Sequence, residues 1–439
     1  MPRLLRPFSL ILAFVLATAA WAQNVRHLTI LHTSDLHARF LPDEQGKGGF
    51  ARVAAAIRKE KENCRDCLVL DGGDIVQGSP ASTIFRGLPS YEVVNSFGID
   101  VSTLGNHEFD YGWKRIYDFT STALFPIVCA NVTDDQGRFL TGKPYTIVNV
   151  NGIRVGIIGI LMGVLLDGFS TPDLVGPWKV ADPVETARTY ARQLQDRTDL
   201  IVVLSHITTK EMDEMLAKAP EVSVIVAGHE HTGLENMRRV EDRVGVRVKS
   251  YGRELGRLEL DIDTAQRKVV KAAWRHIEIN EKIAPAPDVA KLVGEWEEKV
   301  AKIVDEPIGE SVRAFSTAEV KVLMERVMRD ATGADFAFMN QGGVRDVLPR
   351  GRILARNVWN IMPFDNRVMI GKFKGKDLPA VVTKGDTIEP EKEYTLAVSD
   401  FTAENQKTQL RVTGLVFPQN GPLMRDAMID WIRKRKIVE

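Results

Sequence analysis

Leu31-His32-Thr33-Ser34-Asp35-Leu36-His37 carries the chain out of its first apolar run and into a loop that presents a carboxylate and an imidazole two positions apart. The run itself, residues 27–33, reads as a strand. The same event recurs downstream. Strand-like runs at 67–71, 100–104, 200–204 and 222–227 lead into Asp71-Gly72-Gly73-Asp74, Gly105-Asn106-His107-Glu108, Ser205-His206 and Gly228-His229-Glu230-His231. Helical periodicity covers 50–62, 91–97 and 184–196. A short strand is expected over 126–131, and a β-hairpin over 145–160 turning at Asn151-Gly152. This alternation predicts a layered α/β domain with strands toward its middle, and the later hairpins add an antiparallel contribution. In such folds ligand-binding groups gather past strand ends, where all of these polar clusters fall.

The clusters supply carboxylates, imidazoles and an amide oxygen. Five of the eight histidines, His37, His107, His206, His229 and His231, lie in them. One histidine is more often structural than a ligand; five in successive strand-end loops are poorly explained by chance. Neutral His with ionised Asp suits zinc, manganese, cobalt or iron, and no thiolate cluster selects otherwise. Two such ions about 3.5–4 Å apart clamp the attacking and departing oxygens of an in-line displacement, and they make hydroxide available near neutral pH. Phosphate esters resist attack because their oxygens are negative, and two cations relieve that repulsion.

The chain has 439 residues. Single cores stop growing near roughly 250–300 residues, so two domains are expected. Lys plus Arg equals Asp plus Glu, at 58 each. A chain without net charge has no global field to draw in nucleic acid or an anionic membrane, so the expected partner is a small phosphate ester and not a nucleic-acid polymer. Arg3 and Arg6, the apolar run 10–20 and Ala20-Trp21-Ala22 read as a signal peptide over 1–22, with an uncleaved anchor as the alternative. No later stretch is long and apolar enough to span a bilayer, so the mature protein is expected to be soluble and periplasmic or secreted. In that compartment Cys64-x-x-Cys67 suits a local disulfide; a redox motif or half a zinc site would need a partner pair or a thioredoxin-like context. Cys129 lies in an apolar run and reads as core. Composition changes after Lys282: Ala284-Pro285-Ala286-Pro287 looks like a hinge, 288–304 like one amphipathic helix, and a smaller α/β domain follows.

The ordered set D-x-H, G-D, G-N-H-E, H and G-H-x-H resembles the calcineurin-like metallophosphoesterases. The longer strings from Leu31 to His37, from Leu104 to Asp110 and from Ala227 to His231 are similar to the secreted 5'-nucleotidase branch. The resemblance implies a four-layer metallophosphoesterase sandwich over 23–283, a linker helix over 284–305 and a shortened C-terminal substrate domain over 306–439. It implies hydrolysis of nucleoside 5'-monophosphates by metal-hydroxide attack. Asp35, His37 and His231 would hold one divalent metal, Asn106, His206 and His229 the other, and Asp74 would bridge them. His107 would protonate the leaving oxygen or stabilise transition-state charge, oriented by Asp110. His32 reads as a core residue, Glu108 and Glu230 as supports for neighbouring ligands, and His276 as an ordinary strand residue.

In the C-terminal segment, Asn340-Gln341-Gly342-Gly343-Val344-Arg345 matches the family's substrate loop. Arg345 would grip phosphate with its forked guanidinium, and Asn340, Gly342 and Gly343 would bring backbone close to the ligand. Pro363-Phe364-Asp365-Asn366 reads as a structural landmark. Two departures stand out. The family's N-x-F-L-A-x-G-G-D-G reads Ser399-Asp400-Phe401-Thr402-Ala403-Glu404-Asn405-Gln406-Lys407-Thr408 here, and 374–394 is short. In the family these regions supply two aromatics that stack on the nucleobase, a contact contributing about 1–3 kcal/mol. Phe401 matches a framework position, so Phe373, Phe401 or Phe417 would have to build a different platform. Alternatives are therefore cyclic nucleotides, nucleotide sugars, other phosphomonoesters or a sulfur-containing ester on the same centre, or a metal-containing binding protein.

Overall fold

A computed structural model describes residues 24–163 and 172–439; the expected signal peptide lies outside them. Two six-stranded sheets form the middle of the N-terminal domain. The first runs Lys268–Glu278, Glu254–Asp263, Val25–Thr33, Cys67–Asp71, Val101–Thr103, Ile127–Val128. Its last four strands are parallel and its first two join antiparallel. The second runs Arg238–Val240, Arg243–Val246, Val224–Gly228, Leu200–His206, Ile153–Leu161, Tyr145–Val150, parallel within and antiparallel at both edges.

Side-chain alternation explains the layers. Leu28, Ile30, Leu68 and Leu70 share one buried cluster with Val155, Ile157, Val202, Leu204, Val224 and Val226, between the sheets. The intervening Leu31 and Val69 join the cluster that contains the helix Phe50–Glu62. Ile158, Ile201, Val203 and Ile225 pack with residues of the helices Pro183–Leu194 and Thr209–Lys218. Strands buried on both faces read as unbroken apolar runs, as residues 67–70, 200–204 and 224–227 do, while the first strand keeps buried Thr29 and His32 among its apolar residues. The order is helix, sheet, sheet, helix, and the polar clusters follow the carboxyl ends of parallel strands.

The hairpin forms as expected. Its strands pair from Tyr145–Ile158 to Val150–Ile153, and Asn151 (φ 47°) and Gly152 (φ 85°) take the left-handed turn that fits strand twist. Other boundaries shift. The helix expected over 91–97 is Leu88–Val94 followed by a 3₁₀ turn, because Gly87 caps it at φ 83° and Pro89 suits a first turn. The strand expected over 126–131 is only Ile127–Val128, with Val132–Thr133 pairing elsewhere.

The connector helix Pro287–Val304 buries Val289, Val293, Val300 and Val304 in the core that holds the Phe50–Glu62 helix. Arg58 pairs with Asp288 at 2.7 Å, and Arg356 reaches back to Glu297 and Asp305. The C-terminal domain packs the helices Thr317–Thr332 and Met424–Arg435 with one three-stranded and one four-stranded sheet. A disulfide joins Cys64 to Cys67, and Cys129 is buried. Among the described residues no helix is long and apolar enough to cross a membrane.

Candidate metal centre and active site

Strained backbone shapes the ligand loops. Asp35 (φ 51°), His37 (46°), Asp74 (56°), His229 (90°) and His231 (59°) all lie at positive φ. Each such non-glycine residue costs on the order of 1–3 kcal/mol and persists only where its surroundings over-determine it, typically at functional sites. Glycines close the gaps. A Cβ at Gly105 would fall 2.1 Å from Asp74 Oδ1, and one at Gly228 would fall 2.8 Å from His206 Nδ1 and 2.9 Å from Asp35 Oδ2. Asp35 N–H donates to Gly73 O and His37 N–H to Asp74 O, both at 2.9 Å, stitching two loops together.

Asp35, His37, Asp74 and His231 bring ligand atoms within 4.8 Å of one another. Beside them, His206 Nδ1 lies 2.8 Å from Gly72 O. A carbonyl only accepts, so a proton sits on Nδ1, and Nε2 faces Asp74 Oδ2 and Asn106 Oδ1, each 3.1 Å away. His229 Nδ1 is 3.1 Å from the same Asn106 oxygen. Asp74 Oδ2 is also 3.7 Å from His37 Nε2, so this carboxylate stands between the two sets. Converging carboxylates, imidazoles and an amide oxygen are the donor chemistry of divalent metals, and the residues fit that role.

The electrostatics set His206 apart from the other three imidazoles. Burial lowers the His37 imidazole well below its ordinary range, His231 to about 3 and His229 to about 4, keeping all three neutral as ligands must be. At His206 burial acts downward, but Asp74 and Asp35 outweigh it and push the ring up to about 10. Burial raises Asp35, and the neighbouring Asp74 adds to it. Two buried carboxylates facing one another call for positive charge between them.

His107 sits alongside. Its Nδ1 is 2.8 Å from Asp110 Oδ2, and its backbone N–H donates to Asp74 Oδ1 at 2.8 Å. Burial works against the protonated ring, but Asp110 and Asp74 prevail and raise its pKa. Glu108 is fully buried and accepts from the N–H groups of Gly105 (2.7 Å), Asp74 (3.0 Å) and Ile75 (2.9 Å), so it braces two ligand loops at once. Glu230 accepts from Thr209 N–H at 2.7 Å and pairs with Arg247. His32 stacks on Trp274 in the core, and His276 lies 3.8 Å from Glu254.

From the C-terminal domain, Arg345 reaches the centre: its Nη2 is 3.4 Å from His37 Nε2, and its buried Nε has no hydrogen-bond partner among the described residues. Asn340 is buried, and its carbonyl accepts from Gly343 N–H. Gly343 has a packing reason of its own, whereas a Cβ at Gly342 would meet only Asn340 Nδ2, at 3.7 Å. A Cβ at Gly343 would meet Met339 Cε at 2.4 Å and Asn340 Oδ1 at 3.0 Å, so the missing side chain makes room for the chain's own neighbours.

Three features escape sequence reasoning. Phe364, expected to be only structural, lies 5.9 Å from the His107 ring and 5.8 Å from the Arg345 guanidinium, while Pro363 O accepts from Thr83 Oγ1 across the domains. Tyr251 is 5.2 Å from the His37 ring and 5.5 Å from that of His231. Arg39 and Asp346 pair across the cleft at 3.7 Å. Only the Pro-Phe-Asp-Asn string offered any signal. Phe373 and Phe417 meet edge to face at 5.2 Å inside a core cluster, where Phe417 is 8% exposed.

Residues 28–233 match the calcineurin-like phosphoesterase family, and residues 306–384 match the 5'-nucleotidase C-terminal domain. The chain is 24% identical to Protein UshA of Escherichia coli, over 90% of this chain and 89% of that protein. It is 26% identical to Endonuclease YhcR of Bacillus subtilis over 92% of its own length, but spans only 39% of that relative. Its fold superposes on the 5'-nucleotidase precursor of Thermus thermophilus with a TM-score of 0.85, at 24% identity, covering 94% of this chain and 97% of the other. The chain thus carries a calcineurin-like phosphoesterase domain followed by a 5'-nucleotidase C-terminal domain.

Proposed function

We propose that this protein hydrolyses phosphate esters with two divalent cations of the zinc, manganese, cobalt or iron class, and that nucleoside 5'-monophosphates are its preferred substrates. The observation that carries this reading is the Asp74 carboxylate, 3.1 Å from His206 and 3.7 Å from His37, with the His107–Asp110 pair beside it. Asp35, His37 and His231 would hold one cation, Asn106, His206 and His229 the other, and Asp74 both. Bound there, the cations supply Lewis-acid charge for the phosphoryl oxygens and an activated nucleophile.

The chain's own residues do the rest. Arg345 binds a phosphate oxygen through the guanidinium edge that faces His37. Asp110 holds the His107 imidazole by Nδ1, which leaves Nε2 to deliver a proton to the departing ester oxygen. Glu108 keeps Asp74 in place by bonding its backbone. Phe364 and the Thr83–Pro363 contact hold the C-terminal domain against the centre.

The Phe373–Phe417 pair favours a second reading of the substrate. Phe417 is buried in a core cluster and the half-buried Phe373 packs edge-on against it, so the two do not form an open stacking pair, and non-nucleoside phosphomonoesters fit the same centre. The Cys64–Cys67 disulfide supports a periplasmic or secreted protein with residues 1–22 removed. The domain division that goes with this function is 23–283, 284–305 and 306–439. A substrate panel with Mn²⁺, Zn²⁺, Co²⁺ and Mg²⁺ added separately tests the proposal. Faster turnover of AMP than of p-nitrophenyl phosphate is expected; equal rates would sink the nucleotide preference, and no turnover of any ester would sink the enzyme.

A further inference from the structure

Tyr251 combines two observations that rarely coincide. Its backbone is held at φ 62°, a genuine outlier for a bulky side chain. Its N–H donates to Asp35 O at 2.7 Å, so the strained conformation is locked to a ligand loop. Its ring is then surrounded by cations. The guanidinium of Arg39 lies 5.1 Å from the ring centroid, that of Arg253 at 5.4 Å and that of Arg345 at 5.9 Å. Arg39 is also paired with Asp346 and Arg253 with Asp43. Among the described residues Arg345 has no such carboxylate. Its guanidinium rests against two rings, Tyr251 from the N-terminal domain and Phe364 from its own.

We propose that Tyr251 is a positioning residue: its ring, forced out over the centre by left-handed backbone, aims the Arg345 guanidinium at the phosphate seat. This rests on the phosphoesterase reading. An arginine without a carboxylate partner keeps the donors not turned to His37 for substrate, but it then needs another group to limit its rotamers, and an aromatic face does this without consuming a donor. The strain at Tyr251 has the same logic, since an unstrained residue there would point its side chain elsewhere.

The test compares Tyr251→Asn, Tyr251→Phe and Arg345→Ala in the full chain loaded with Mn²⁺. Asn adopts left-handed backbone more readily than an aromatic residue, so Tyr251→Asn removes the ring without adding strain. Its melting temperature and metal content are expected to match wild type. Its affinity for inorganic phosphate and its KM for p-nitrophenyl phosphate should weaken about 3- to 30-fold, the range of a partly desolvated cation–π contact, with a smaller change in kcat. Tyr251→Phe should restore both. The double variant with Arg345→Ala should bind phosphate no more weakly than Arg345→Ala alone. Unchanged phosphate affinity in Tyr251→Asn, additive effects in the double variant, or loss of metal as the cause of weaker binding would each overturn the proposal. Wild-type protein that binds phosphate but turns over no ester would overturn the enzymatic reading while the phosphate-binding comparison still decided Tyr251.

Discussion

The two domains meet at one cleft, yet they build their shares of it in opposite ways. The N-terminal domain contributes the proposed ligands from five strand ends, each stiffened by positive φ, by glycine contacts or by the Glu108 carboxylate. The C-terminal domain contributes a single long side chain, Arg345, held by aromatic contacts and by backbone docking at Pro363. A centre that must hold cations needs fixed donors and tolerates strain to obtain them. A domain that meets the substrate with one guanidinium needs only that its loop arrive in the right place. The rigid half should therefore fail abruptly under mutation and the docked half by degrees.

The largest expected effect is at His107. His107→Ala should lower kcat about 10²- to 10⁴-fold, the usual share of a general acid, while metal content stays at the wild-type level. Metal loss in this variant would move His107 from proton transfer to the ligand set. Next is Gly105→Ala. Its new Cβ would stand 2.1 Å from Asp74 Oδ1, so Asp74 must move. Overpacking of this kind costs about 1–3 kcal/mol, and thermal melts with metal analysis should show lower stability and weaker metal binding together. Full metal binding would show that the loop is less rigid than the contrast requires.

Arg345→Ala tests the other half. Hydrogen bonds to charged groups contribute about 1.5–3 kcal/mol, so KM should rise roughly 10- to 100-fold with stability unchanged. A fall in kcat without a change in KM would mean that Arg345 acts on the transition state alone. The smallest effect is expected at Phe417. Phe417→Leu should lower stability by about 1 kcal/mol and leave the ratio of AMP to p-nitrophenyl phosphate turnover unchanged, because the ring belongs to a core. A shift of that ratio toward p-nitrophenyl phosphate would restore a base-stacking role.

The same contrast explains what was legible before any coordinates. Parallel strands buried on both faces leave largely apolar runs, and parallel sheets deliver their loops to one edge, so the four layers and the convergence of the polar loops could be read from where each run stopped. Asn151-Gly152 announced its own turn. The short strands at 126–131 could not be resolved, since a two-residue pairing leaves no period to detect. Tyr251 gave no signal because its importance lies in a backbone angle and in three arginines distant in sequence. The glycine pair at 342–343 was visible, but the crowding of Gly343 by the Met339 side chain is a matter of packing, which the sequence does not show.

Asp74 is where the account is most exposed, because its carboxylate is asked to serve both ligand sets. The direct measurement is metal stoichiometry in wild type and Asp74→Asn after chelation and reloading with Mn²⁺, read alongside phosphoesterase turnover. The account predicts two ions per chain in wild type, and loss of both with loss of turnover in Asp74→Asn. One ion per wild-type chain, or an Asp74→Asn protein that retains two, would contradict it.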